Sequence, residues 1–386
     1  MISFFLKKRM VTLGRGNKEK NIRAKLEPNL PNLPEEIILN ILSRLPLKSL
    51  IQFTCVSKQW GSLIQGFAKS VQRKKVFVCI DNSINSIDEE GHVESILEPK
   101  EKFPPHFNLE IFGSCNGLLL ILISDDLFLW NPLTRCSKKV MTSVHRGYYA
   151  VSGLCFDSSN NEYKVVMAII HDSTNYGGKF VKIGSFRNKT WTSVYEFPYH
   201  VCSMISGPVV NGYLHWFVFK ESSDNFPSHQ IIYFDPRIDE FKEVPMPQPK
   251  HVDGYTILGL GDLNGCLCMS RFNHSSCNFV GNKVEVLVMK EYGMESSWIV
   301  LFSIEYLSGK IYDYFVPLCS TKNDEVIMKI FTGLKGYIRA YNPNDNSHRD
   351  ILNFTHRCSL EAIMYEESLV VPPDYNFEKE ESEEKE

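Results

Sequence analysis

One recurring pattern restricts this chain more than any other feature. Asn116-Gly117 precedes an apolar run from Leu118 to Ile123, then Leu127 to Trp130, then Asn131-Pro132. Asn211-Gly212 precedes Tyr213 to Phe219, then Ile231 to Phe234, then Asp235-Pro236 and Phe241. Asn264-Gly265 precedes Cys266 to Met269, with Val284 to Met289 behind it, and Val326 to Phe331 leads to Tyr337 to Tyr341 and Asn342-Pro343. Residues 151–197 follow the scheme more loosely, through Glu162 to Ile170, Lys179 to Phe186 and Trp191. Asn-Gly supplies the positive φ of a tight hairpin turn, and Asx-Pro fixes φ for the next reversal. Each unit therefore reads strand, tight turn, strand, loop, aromatic-rich strand, Asx-Pro turn, strand. Four antiparallel strands roughly every 45–50 residues is the rhythm of propeller blades. Five units are clear, and a sixth can be assembled from Val76 to Ile80 with the C-terminal Ala362 to Val370. A pair of β-sandwiches is the rival architecture.

The texture before Val76 is different. Pro34 suits the start of a helix, where its missing N–H is no loss, and Glu35 and Glu36 suit the positive end of the helix dipole. Ile37, Ile38, Ile41, Leu42 and Leu45 follow at helical spacing and make one broad apolar stripe. Pro46 ends that helix and starts another carrying Leu47, Leu50, Ile51 and Phe53. Ser57 can cap a third, holding Trp60, Leu63 and Ile64 and closed by Gly66. Three short helices in about 35 residues cannot bury this much apolar surface among themselves. The surplus faces either a partner chain or the domain that follows.

Here the residues resemble a known family. Leu33-Pro34-Glu35-Glu36-Ile37-Ile38, Ile41-Leu42-Ser43-Arg44-Leu45-Pro46, Leu50 and Cys55-Val56-Ser57-Lys58-Gln59-Trp60 look like the F-box. The resemblance implies docking on a Skp-type adaptor through Leu33, Pro34, Ile37, Ile38, Ile41, Leu42, Leu45, Pro46, Leu50, Val56 and Trp60. The β region is similar to the F-box-associated domain of plant F-box proteins, itself akin to kelch-type propellers. The carriers are Gly113-Ser114-Cys115-Asn116-Gly117-Leu118, Leu129-Trp130-Asn131-Pro132-Leu133-Thr134, Val209-Val210-Asn211-Gly212-Tyr213-Leu214-His215-Trp216 and Ile232-Tyr233-Phe234-Asp235-Pro236. A regular Gly-Gly doublet of true kelch repeats is missing. The expected organisation is a flexible basic arm at 1–29, an all-α F-box at 30–72, an all-β kelch-like propeller of five to six blades at 73–372, and an acidic disordered tail at 373–386.

Other chemistry finds little support. A formal charge of −3 argues against a general nucleic-acid binder. The short apolar start, Met1 to Leu6, precedes its basic residues, the reverse of a secretory leader, and no apolar run is long enough to span a bilayer. Eleven cysteines show no zinc spacing, and no metal or cofactor is expected. Gly259-Leu260-Gly261-Asp262-Leu263-Asn264-Gly265 brushes a dinucleotide fingerprint with the wrong spacing, so it reads as a propeller turn. Cys115 has no base identifiable in sequence and reads as structural. His215 reads as a packed core histidine, and Trp130, Trp191 and Trp298 as blade packing.

The resemblance implies a non-catalytic receptor. In that expectation the F-box recruits an adaptor and through it a cullin–RING core, the β domain binds a protein target, and other subunits transfer ubiquitin in the cytoplasm or nucleus. The rival functions are a propeller enzyme or carbohydrate-binding module with a helical cap, and an F-box scaffold outside ubiquitination. The target face follows from strand alternation: if Asn-Gly and Asx-Pro turns share one end, the loops at 124–126, 171–178, 220–230, 271–282 and 332–336 share the other. Tyr176, Phe226 and Phe272 are the candidate target-binding residues there.

Overall fold

The computed structural model describes residues 34–373, apart from 46, 55, 57, 71–72, 81–82, 98–108, 125, 142–147, 171–178, 188–189, 195–199, 202–206, 221–227, 248–254, 274–282, 306–313, 334 and 356–360. The expected basic arm, Leu33, Pro46 and residues 374–386 of the expected acidic tail lie outside the described residues. The chain divides into two compact units, residues 1–67 and 68–386.

Pro34 stands just before α1 (Glu35–Ser43), and its carbonyl accepts from the amides of Ile37 and Ile38 at 3.0 and 3.2 Å. Glu35 and Glu36 occupy the first turn. α2 (Leu47–Phe53) and α3 (Lys58–Ser70) follow, and the Phe53 and Trp60 rings meet between them at 5.9 Å. α3 passes through Gly66 instead of stopping there. A glycine inside a helix costs only about 1 kcal/mol, too little to end it.

In the β unit the Asn-Gly turns act as hairpin corners. Asn116 and Gly117 have φ of 50° and 79°, and the other two Asn-Gly pairs repeat this conformation. The first blade is β1 (Lys74–Ile80), β2 (Ser83–Ile87) and β3 (Val93–Leu97), completed by the last strand, β25 (Glu361–Glu366). The second is β4 (Leu109–Cys115), β5 (Leu118–Ile123), β6 (Asp126–Asn131) and β7 (Cys136–Met141). The third is β8 (Tyr148–Asp157), β9 (Glu162–Ile170), β10 (Lys179–Ser185) and β11 (Thr190–Val194). In the fourth, two short pieces, β12 (His200–Val201) and β13 (Val209–Val210), share the inner edge of β14 (Tyr213–Lys220), followed by β15 (Ser228–Asp235) and β16 (Glu240–Glu243). The fifth is β17 (Tyr255–Leu263), β18 (Cys266–Asn273), β19 (Lys283–Met289) and β20 (Trp298–Glu305). The sixth is β21 (Tyr314–Ser320), β22 (Val326–Thr332), β23 (Lys335–Asn342) and β24 (Ser347–Thr355). The fold is thus a six-bladed β-propeller, and its first blade is the unit expected to be assembled from both ends of the domain.

Neighbouring inner strands approach backbone to backbone. A Cβ on Gly261 of β17 would lie 1.9 Å from the Pro317 carbonyl oxygen in β21, and one on Gly113 of β4 would lie 2.5 Å from the Leu154 amide in β8. Gly259 and Gly261 are strand residues, and only Asn264-Gly265 is the turn. That corrects the expectation for this motif: close approach, not chain reversal, demands its first glycines.

The ring closes where β1 meets β25, with Lys75 opposite Tyr365 and Phe77 opposite Ile363. Asn131, fully buried at the second blade's Asx-Pro turn, clasps the chain beyond β25. Its amide donates to the Ser368 and Val370 carbonyls at 2.9 and 2.6 Å. Its Oδ1 accepts from the amides of Leu133 and Thr134 and from the Tyr365 hydroxyl. One side chain therefore shapes the local turn and holds the closing strand. Asn131→Ala leaves two part-buried carbonyls without their donor and is expected to cost about 3 kcal/mol in denaturant unfolding, against about 1 kcal/mol for Tyr365→Phe. An unchanged midpoint for Asn131→Ala would show that closure rests on the β1–β25 ladder alone.

Candidate docking surfaces

In the helical unit, Ile37 and Ile41 lie one turn apart on α1 and are 47% and 41% exposed, and Val56, between α2 and α3, is 58% exposed. Ile38, Leu42 and Leu50 are buried instead. The stripe expected to meet an adaptor is thus divided between exposed and buried members. Helical periodicity marks an apolar arc but not how its width divides between the interior and a partner. Pro34 is exposed, and Leu45 and Trp60 are half-buried. Each is about half exposed, so complete burial would gain roughly half of the ~1.5–3 kcal/mol of a fully exposed side chain, and among the described residues of this unit Ile37, Ile41 and Val56 are the large apolar groups left exposed.

In the β unit, strand alternation places the Asn-Gly and Asx-Pro turns at one end of the blades. The strand ends Ile170, Lys220 and Asn273 stand at the other end, and residues 171–178, 221–227 and 274–282, with Tyr176 and Phe226 among them, lie outside the described residues. Two expected loops are tight turns: Ile123 pairs with Asp126, and Thr332 with Lys335. Phe272 is also corrected, because β18 continues to Asn273. Its backbone lies opposite Thr256 and Val284, and its half-buried ring packs on the core between the fifth and sixth blades. β18 is extended by Arg271, which is buried, donates to Glu285 at 2.8 and 3.0 Å, and stacks over Tyr255 at 4.9 Å. A charged residue in the sequence marked a loop, whereas here its partner carries it into the sheet.

The inner strands enclose an axial cavity of about 130 Å³, lined by residues that include Cys115, Asp262, Pro317 and Glu366. Asp262 accepts from the Gly265 amide at 2.6 Å and stands 3.7 Å from the Lys74 ammonium. Burial raises the Glu366 carboxyl, an effect that Lys74 opposes. Burial pushes the Cys115 thiol up to about 12, with Glu366 adding to the shift. At neutral pH that thiol stays protonated, which removes it as a nucleophile. Among the described residues, no group of three or more His, Cys, Asp or Glu could hold a metal ion.

An aromatic cluster that sequence reading missed lies at the Asn-Gly end of the fourth and fifth blades. Tyr213 stacks on Tyr292 at 5.8 Å and tilts against Tyr233 at 5.0 Å, while Arg237 sits 5.1 Å over the Tyr213 ring. Tyr292 comes from the turn after β19, which carries neither an Asn-Gly nor an Asx-Pro signal. Fully buried His215 makes a 2.6 Å hydrogen bond with the Tyr292 hydroxyl through Nε2, and Nδ1 faces the Pro208 carbonyl at 3.4 Å. A carbonyl can only accept, so Nδ1 carries the proton and Nε2 accepts from Tyr292. Burial lowers the imidazole to about 4 from its ordinary 6.5. The unfolded chain therefore takes this proton first, and stability that is complete above pH 6.5 is lost as pH falls toward 4. The contribution is expected to shrink by roughly 2 kcal/mol between pH 7 and pH 5. Unfolding of His215→Asn across that range should show a shallower slope; an unaltered slope would show that His215 is not the group titrating.

Residues 30–69 match the F-box domain, and residues 69–370 match the F-box associated beta propeller domain. The chain is 30% identical to F-box/kelch-repeat protein At3g23880 of Arabidopsis thaliana, over 89% of this chain and 96% of that protein. It is 28% identical to F-box protein At3g07870 of the same plant, over 84% and 88%. Among solved structures, TolB from Acinetobacter baumannii aligns over 79% of this chain and 73% of its own, at 10% identity and a TM-score of 0.43.

Proposed function

The chain belongs to the F-box proteins that carry an F-box associated β-propeller, and on that footing we propose that it is a substrate-recognition subunit of a Skp–cullin–F-box ubiquitin ligase. The carrying observation is the F-box match combined with the exposure of Ile37, Ile41 and Val56. Apolar side chains held out on α1 and between α2 and α3 fit a hydrophobic partner, which in this reading is a Skp-type adaptor. The adaptor links the chain to a cullin–RING core. This chain performs no covalent step, and it works where that core works, in the cytoplasm or nucleus.

Ile37→Asp with Ile41→Asp is expected to abolish co-purification with a Skp-type adaptor, because each change places a charge in a surface that must dehydrate. Both positions are already exposed, so the melting of the β unit should not move. Retained adaptor binding by a folded double variant would overturn the proposal.

The propeller supplies the target-binding surface in the manner of kelch-like domains, at the end opposite the Asn-Gly turns. Tyr176 and Phe226 are the target-binding candidates; Phe272 belongs to the core instead. With the ligase inactivated so that bound protein accumulates, Tyr176→Ala with Phe226→Ala should lose the captured target about tenfold or more while keeping the adaptor. If that variant captures the target undiminished while changes near Asn211-Gly212 release it, the opposite face is the binding one.

A further inference from the structure

Beyond β25 the chain crosses the Asn-Gly end of the second blade from its inner to its outer strand. The Ser368 hydroxyl donates to the Asn116 carbonyl, Asn131 holds Ser368 and Val370, Pro372 is buried, and the Lys138 ammonium in β7 donates to the Pro373 carbonyl at 2.7 Å. Lys138 is also a wall of a cleft between the second and third blades. That cleft has a volume of about 150 Å³, and its apolar walls are Val140, Val165, Phe186 and Trp191. A cavity of about that size takes one benzene-sized ring. The Trp191 indole lies over Gly184, where a Cβ would come within 3.0 Å of it, so the ring forms a flat wall.

The chain therefore arrives at the rim of a ring-sized apolar cleft, and the sequence that continues from there is Asp374-Tyr375-Asn376-Phe377-Glu378, followed by a strongly acidic run. Tyr375 is two residues past Pro373, within about 7 Å of extended chain. The basic groups nearby suit the flanking acids: Lys138 on the wall and exposed Arg187, next to Phe186 in the chain. The carboxylates that touch the lining are already engaged: Glu162 accepts from the Ser185 hydroxyl at 2.6 Å and faces the Lys164 ammonium at 3.8 Å, and Asp126 pairs with Lys139 at 2.7 Å. We propose that this cleft is the receptor for residues 374–377 of the same chain, with the Tyr375 ring seated against Trp191 and Asp374 beside Lys138. The segment is tethered at Pro373, so its local concentration at the cleft is high and weak contacts suffice to hold it.

The test uses the full-length chain with a photo-reactive phenylalanine derivative in place of Tyr375. Cross-links should fall within the same chain, on residues 138–140 and 184–191, and their yield should not change on dilution. Independently, chymotryptic release of the C-terminal fragment after Tyr375, followed by mass spectrometry, should be about tenfold slower than cleavage of a free peptide of residues 370–386, since cleavage tracks the undocked population. Lys138→Glu should restore the peptide's rate with unchanged melting. Asp374→Lys, which alters only the tail, should do so as well. Cleavage at the free-peptide rate in the unaltered chain, cross-links scattered over the surface, or cross-links joining two chains would each overturn the proposal.

Discussion

At two of the seams around the axis, neighbouring inner strands touch with no room for a side chain between them. The close approach of Gly261 to Pro317 and of Gly113 to Leu154 is the constraint on which the rest of this propeller depends. A methyl group at either place would push two blades apart, and in a closed ring that displacement has nowhere to go. The inner strands accommodate the ring in a second way. The ladders of four blades slip by one residue on the inner strand, between Ile111 and Gly113, Tyr149 and Val151, Ile257 and Gly259, and Pro317 and Cys319. Each slip is a bulge, which sharpens the local twist and lets a strand turn from the axis toward the rim within a few residues.

Polar groups fix the blades to one another where apolar packing alone would permit sliding. Lys164 of the third blade is buried and reaches the Pro236 carbonyl at 2.7 Å and the Asp239 carboxylate at 2.8 Å, both in the Asx-Pro turn of the fourth. Asp157 stands 3.4 Å from the same ammonium and accepts from the amides of Ser159 and Asn160. Those hydrogen bonds hold its carboxyl below the ordinary value against the opposing effect of burial. Removing one member would leave a buried charge without its partner, and such losses are costly.

The turns were legible because their chemistry is local. Asn-Gly and Asx-Pro carry backbone geometry in two residues, and an Asx side chain closes its own turn, as when Asp235 accepts from the Arg237 amide. A count of five to six blades followed from them, and the sixth, assembled from both ends of the domain, rested on apolar strands at the two ends that lacked other partners. What was not legible depends on residues distant in sequence. Phe272 and Arg271 look like loop residues until Val284 and Glu285 come alongside. The cluster around His215 needs Tyr292 from the next blade. On α1, alternate members of one apolar stripe, Ile37 and Ile38, face opposite environments, and no property of the two isoleucines distinguishes them.

The last feature to weigh is the pairing of β1 with β25. A ribosome delivers these strands at opposite ends of its work, about 280 residues apart, which at 5–20 residues per second is a delay of roughly 15 to 60 s. Throughout that interval the inner edge of β1, with Val76, Phe77 and Val78 beside it, has no strand to receive it, and an open apolar edge invites pairing with a neighbouring chain. The hazard of this architecture is therefore greatest during synthesis, and a cell that makes the protein must shield its first blade until the last one emerges.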